Sequence, residues 1–211
     1  MPFAVSDAPI SIRAEILEAF RNEWAFLSAP GTWWSGAERV AIAAEARRAM
    51  SGEPHGADLP DPVVRVVRAV AADSPLITAE WVGNLEDEGI ALPAYVEIIG
   101  IVARLSAVDL FHIALGMALE VLPEPQPGEA SRTPPPSDVA AGRSFVPMRR
   151  PAGVTHSTSL VPAETAAWLA LSDVLYMTLE EMEEPDFRRA MHRTQIELVA
   201  ARTSQVNECF Y

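Results

Sequence analysis

Cys209 is the only cysteine among 211 residues, and the four histidines, His55, His112, His156 and His192, are scattered along the chain. A thiol acts as a nucleophile or redox centre only as the thiolate, and a disulfide needs a second sulfur that this sequence does not supply. Without further context, Cys209 reads as an exposed thiol. No two histidines stand in H-x-x-x-H or H-E-x-x-H spacing, so no metal site is expected. No Gly-rich phosphate loop or dinucleotide fingerprint is present, and no cofactor is expected. Ser157 and Ser159 lie beside His156 in a loop and form no recognisable triad. His112 follows Phe111 in an apolar stretch, and Trp33-Trp34 precede a helix start. Both read as core packing. Glu38 and Glu197 each stand three residues after a hydroxyl residue, Ser35 and Thr194. That is the S/T-x-x-E spacing of a capping box.

The elements that must position these side chains are helical. Asp7 is expected to cap a first helix with Pro9 in its first turn, running to about residue 26, with Ile10, Ile16, Leu17, Phe20 and Trp24 as its apolar stripe. Ser35 opens a second helix to about Met50. Asp61-Pro62 starts a third that stops before Ser74-Pro75, and Thr78 caps a short fourth closed by Gly89. A long fifth helix is expected from Pro93 to about Leu119. Eight prolines between Pro123 and Pro151 exclude helix and central strand, so 123–160 reads as an extended connection. Pro162 opens a helix to about Met177, and a last one is expected from Thr194 to Gln205. No convincing strand alternation occurs, and the fold class is all-α.

Composition narrows the partners. The net charge of −13 disfavours nucleic acid, whose binding depends on Lys and Arg neutralising phosphates. The most apolar stretch, 95–122, contains Glu97, Arg104, Asp109, His112 and Glu120, so it reads as a buried helix and not as a membrane crossing. The start has neither a basic n-region nor an apolar h-region, and a lone cysteine asks for no oxidising compartment. A cytoplasmic protein is expected. An offset of 159 places the Ser35–Glu38 helix over the Thr194–Glu197 helix, with apolar residues after each Glu. This internal echo suggests one and a half tandem repeats: 1–122, a Pro-rich linker at 123–160, and an incomplete second unit at 161–211.

The tail from Ile196 to Tyr211 resembles the signature of the alkylhydroperoxidase-D / carboxymuconolactone decarboxylase family. In that family a helical Glu leads, twelve residues on, into Cys-x-x-Cys, with a His four residues further. Glu197 and Cys209 match the Glu and the first cysteine, and the second would follow Tyr211. The similarity extends to Trp33–Glu45, Tyr95–Gly100, Asp109–Phe111, Ala114–Gly116 and Pro123–Arg132, and so covers nearly the whole chain. It implies an alkylhydroperoxidase-D-like helical fold of the two-domain type. It also implies a peroxidase-related, antioxidant oxidoreductase recycled by an external dithiol. Glu197 would relay protons and Cys209 would stand at the resolving thiol. In the first repeat, the positions corresponding to the cysteines and histidine are Met50, Glu53 and Ala57, so no redox site is expected there. With one thiol, activity is expected to be impaired. The alternatives are a non-catalytic helical binding or assembly module, or a carboxymuconolactone-decarboxylase-like lyase. The apolar residues Leu169, Leu171, Leu175, Ile196, Val199 and Val206 need a cover, and a homo-oligomer is expected.

Overall fold

A computed structural model describes residue 3, residues 8–151 and residues 153–208. Among them are eight α-helices: α1 (Ala14–Ser28), α2 (Gly36–Met50), α3 (Asp61–Ala72), α4 (Ala79–Gly83), α5 (Leu92–Ala114), α6 (Pro162–Leu175), α7 (Leu179–Glu183) and α8 (Arg193–Val206). The described residues contain no strand; their only bridges, Ala140 to Met148 and Arg188 to His192, are isolated. The all-α expectation therefore holds at the level of class. No helix of the described residues is long and apolar enough to cross a membrane.

α2 begins where its sequence asks it to. The Ser35 hydroxyl accepts from the Glu38 N–H while the Glu38 carboxylate accepts from the Ser35 N–H, a reciprocal capping box. α3 starts with Pro62 in its first turn, where the missing N–H costs nothing. Its valines are mediocre helix formers. Burial decides the matter: Val63, Val64, Val66 and Val67 all face the core. α5 is the central element, buried on several sides, and it packs against α1, α2, α3 and α6.

Three boundaries differ from the sequence expectation, one being the end of α4 at Gly83 and not at Gly89. The first helix starts at Ala14, not near Pro9, with Arg13 at its cap and Ile10 exposed; the expected cap Asp7 lies outside the described residues. α5 ends at Ala114 and does not reach Leu119, because the chain turns through Gly116 at a positive φ of 67°. That left-handed conformation suits glycine and stops the helix.

The described residues of 115–161 form an extended strap with one short 3-10 turn at Val154–His156. The strap is bonded to the loop after α1: the Gln126 N–H donates to the Ser28 carbonyl at 2.8 Å, Ser131 N–H to Gly31, and Arg132 N–H to Thr32. Val146, Met148 and Leu160 bury their side chains. α6 then returns to pack on α1 and α5. α8 is different, since none of its residues is buried.

Candidate functional site

The sequence-derived candidate Cys209 lies outside the described residues. Glu197 is described, and its surroundings correct the capping reading. The N-cap of α8 is His192, whose side chain accepts from the Thr194 N–H, while Gln195 closes the box back onto the His192 N–H at 2.9 Å. The helix starts two residues earlier than Thr194 would set it, so the Glu197 carboxylate is free of capping. It accepts instead from the Tyr176 hydroxyl at 2.7 Å, with Arg193 3.8 Å from its other oxygen. Tyr176 terminates α6, so the pair joins α6 to α8. Burial, and then the neighbouring Glu197 carboxylate, pushes the Tyr176 phenol up to about 12. Tyr176 therefore stays protonated across the physiological range and orients Glu197 by donating to it.

A second constellation was not anticipated from the sequence. Glu23 of α1, Arg39 of α2, Glu97 and Arg104 of α5, and Glu164 of α6 converge in the interior, each at most 6% exposed. Arg39 pairs with Glu97 and, at 3.0 Å, with Glu164. Arg104 pairs with Glu164, and its Nε donates to Glu23 at 2.8 Å. The Trp33 N–H donates to Glu97 at 2.6 Å. The Phe26 ring lies under both guanidinium groups, 4.7 Å from Arg39 and 5.0 Å from Arg104. Two glycines make room: a Cβ on Gly31 would collide with Glu97, and one on Gly100 with Glu164.

Burial raises the Glu23 carboxyl, with Arg104 opposing it and Glu164 adding to it. Burial also raises Glu97, with Arg39 opposing. Desolvation works against the charged form of Arg104, but Glu164 and Glu23 outweigh it and raise its pKa. Three carboxylates face two guanidiniums, so the fully ionised cluster carries one excess negative charge. Hints lay in the charges inside the apolar 95–122 stretch. Glu97 and Arg104 are seven residues apart, two turns along one helix face, and buried charges must find partners.

The remaining candidates are structural. His112 is buried among Phe3, Phe20 and Phe111, and its Nδ1 lies 2.8 Å from the Val108 carbonyl. Glu45 is buried and binds Arg68 at 2.7 Å and the Gly56 and Ala57 N–H groups, which fastens the loop between α2 and α3. Trp34 Nε1 donates to the Ala94 carbonyl. No three His, Cys, Asp or Glu side chains among the described residues are grouped to hold a metal. Comparisons with protein-family models, with curated proteins and with solved structures found no match.

Proposed function

We propose that this chain is an alkylhydroperoxidase-D-like protein of the carboxymuconolactone decarboxylase type, a relative of thiol-dependent antioxidant peroxidases whose own redox capacity is confined to Cys209. The observation that supports this reading is the state of Glu197. The residue that resembles the family's proton relay is not used as a helix cap, and its carboxylate is held at 2.7 Å by a tyrosine hydroxyl. A carboxylate oriented this way can accept and return a proton, which is what attack of a thiol on a peroxide requires.

Cys209 matches the resolving position of the family motif; as the one thiol among the 211 residues it would itself have to attack a peroxide oxygen, as the thiolate, with cleavage of the O–O bond. The sulfur becomes a sulfenic acid, and the alkoxide leaves as the alcohol after taking up a proton. Closing the cycle needs a second thiol to displace water from the sulfenic acid, and an external dithiol to reduce the resulting disulfide. The 211 residues contain no second cysteine, so the resolving sulfur is not among them.

Hydroperoxide consumption by the purified, reduced chain, with no added thiol, tests this reading. Wild type is expected to consume about one equivalent per Cys209 and then stop, while Cys209→Ser consumes none. Glu197→Gln should slow the single oxidation by about 10²-fold or more, the ordinary contribution of one acid–base group. Sustained turnover that survives Cys209→Ser would refute the proposal.

A non-catalytic assembly module is the second reading. It is favoured by the apolar side chains of α8, where Leu198, Val199 and Val206 are 70%, 56% and 66% exposed. In that case Cys209→Ser leaves every property of the protein unchanged.

A further inference from the structure

Between α1 and α6 lies an open cleft of about 560 Å³. That is the size range of sites for small organic molecules. The α6 wall is made of apolar side chains, Ala163, Ala166 and Ala170 with Leu171 and Val174, and Phe26 lines the cleft from α1. Glu15 and Glu18 stand along the α1 side, and Glu23 lines the interior end. The cleft is therefore apolar in its body and acidic in its polar groups.

Glu23 links this cleft to the buried ionic cluster, and it is the one cluster carboxylate that lines it. The other two are occupied on both oxygens. Glu97 takes Arg39 and the Trp33 N–H, and Glu164 takes Arg39 and Arg104. Glu23 takes only Arg104, through Oε1; its Oε2 has no hydrogen-bond partner among the described residues, although the residue is 6% exposed. The single excess negative charge of the cluster thus meets the cleft at one unpaired carboxylate oxygen. That oxygen opens on the cleft, where a proton, water or a cation can join it; the enclosed atoms of the cluster without partners among the described residues are donors, Arg39 Nε and Arg104 Nη2.

We propose that the cleft between α1 and α6 binds a small monocationic amphiphile, an ammonium or guanidinium group on an apolar body, with the cation on the Glu23 carboxylate and the body along the α6 wall. An anionic ligand would meet Glu15, Glu18 and Glu23 together. The site is separate from the Tyr176–Glu197 pair and does not rest on thiol chemistry.

Proton exchange accompanies binding. In the empty cleft burial raises Glu23, with Arg104 on α5 and Arg39 on α2 opposing and Glu164 on α6 reinforcing. Glu15 and Glu18 on the rim add negative charge, while Arg13 at the far end is paired with Glu15. An arriving cation takes the proton's place. Affinity should therefore increase as pH rises through the Glu23 titration, with proton release on binding below it.

Isothermal titration calorimetry on the full chain tests this with three probes of one size: hexylammonium, hexanol and hexanoate. At pH 8, hexylammonium is expected to bind at least about tenfold more tightly than hexanol, as one charge-assisted hydrogen bond implies. Hexanoate should give no saturable heat. Titrations stepped down from pH 8, each in two buffers of different ionisation heat, should reveal proton release once Glu23 is protonated in the empty cleft. Glu23→Gln should remove the preference for hexylammonium over hexanol. Ala166→Phe, at an exposed position on the cleft wall, leaves the ionic cluster intact and should weaken both probes, so the test survives if the Gln variant misfolds. Absence of saturable hexylammonium binding, binding of all three probes alike, or indifference to both substitutions would each overturn the proposal.

Discussion

Arg104 illustrates how the interior of this protein is balanced at the residue scale. Its guanidinium is buried, joined to Glu23 and Glu164, and stacked on Phe26. Truncating such a partner strands buried carboxylates. Arg104→Met is therefore expected to lower unfolding stability by about 3–5 kcal/mol in urea titrations, far beyond the effect of a surface arginine. An unchanged midpoint would show the cluster to be energetically idle. Glu23 and Glu97 set a pH signature. Their folded values lie above the ordinary 4.5, so they favour the folded state fully below about 4.5, and that contribution is lost as pH rises through the raised values. Glu45 has the opposite sign. Burial pushes it up, but Arg68 and the Gly56, His55 and Ala57 hydrogen bonds outweigh burial and hold it below 4.5. Its contribution is present above 4.5 and is lost on acidification. Glu23→Gln should therefore flatten the fall in stability as pH rises above about 4.5, without changing the loss on acidification. Parallel curves for variant and wild type would contradict the assignment.

At the scale of elements, the two helices with similar openings behave differently. Ser35 makes a complete box at α2, and Ser35→Ala should cost about 1 kcal/mol. Thr194→Ala should cost less than half of that, because α8 is capped by His192 and Gln195. Chemical denaturation of the two variants in parallel checks this, and equal losses would return the cap to Thr194. α8 also leaves Leu198, Val199 and Val206 uncovered within one chain. A second copy is the expected cover, so light scattering at tens of micromolar should report at least a dimer, and Leu198→Glu should shift it toward monomer. A wild-type monomer at that concentration would reject the assembly.

For the whole molecule, circular dichroism should show mainly helix with little strand, and the pinned strap should resist proteolysis better than a free proline-rich linker would. Helix class, the α2 and α3 starts, the absence of helix across the proline tract and the burial of His112 were legible in the sequence. Each follows from local rules: a 3.6-residue period, a hydroxyl three residues before Glu, or a proline without an N–H. The early stop of α5 was harder to see, because its apolar pattern continues past Gly116 and only the left-handed turn there ends it. The cap of α8 was misplaced because Thr194 and Glu197 satisfy a spacing rule that His192 and Gln195 satisfy two residues earlier.

The five-residue ionic cluster belongs to tertiary structure alone. Glu23, Arg39, Glu97, Arg104 and Glu164 come from four helices separated by up to 125 residues between hydrogen-bonded partners. Sequence placed Glu97 and Arg104 in an apolar stretch read as a buried helix, where charges need partners. It could not name the partners, because pairing across helices depends on how α1, α2 and α6 close around α5. The same holds for the cleft beside Glu23, whose walls come from helices that meet only when the strap returns α6 to α1. Periodicity and capping act within a few residues and survive in the unfolded chain as preferences. Charge pairing and cavities arise only when the packed helices exclude water from them.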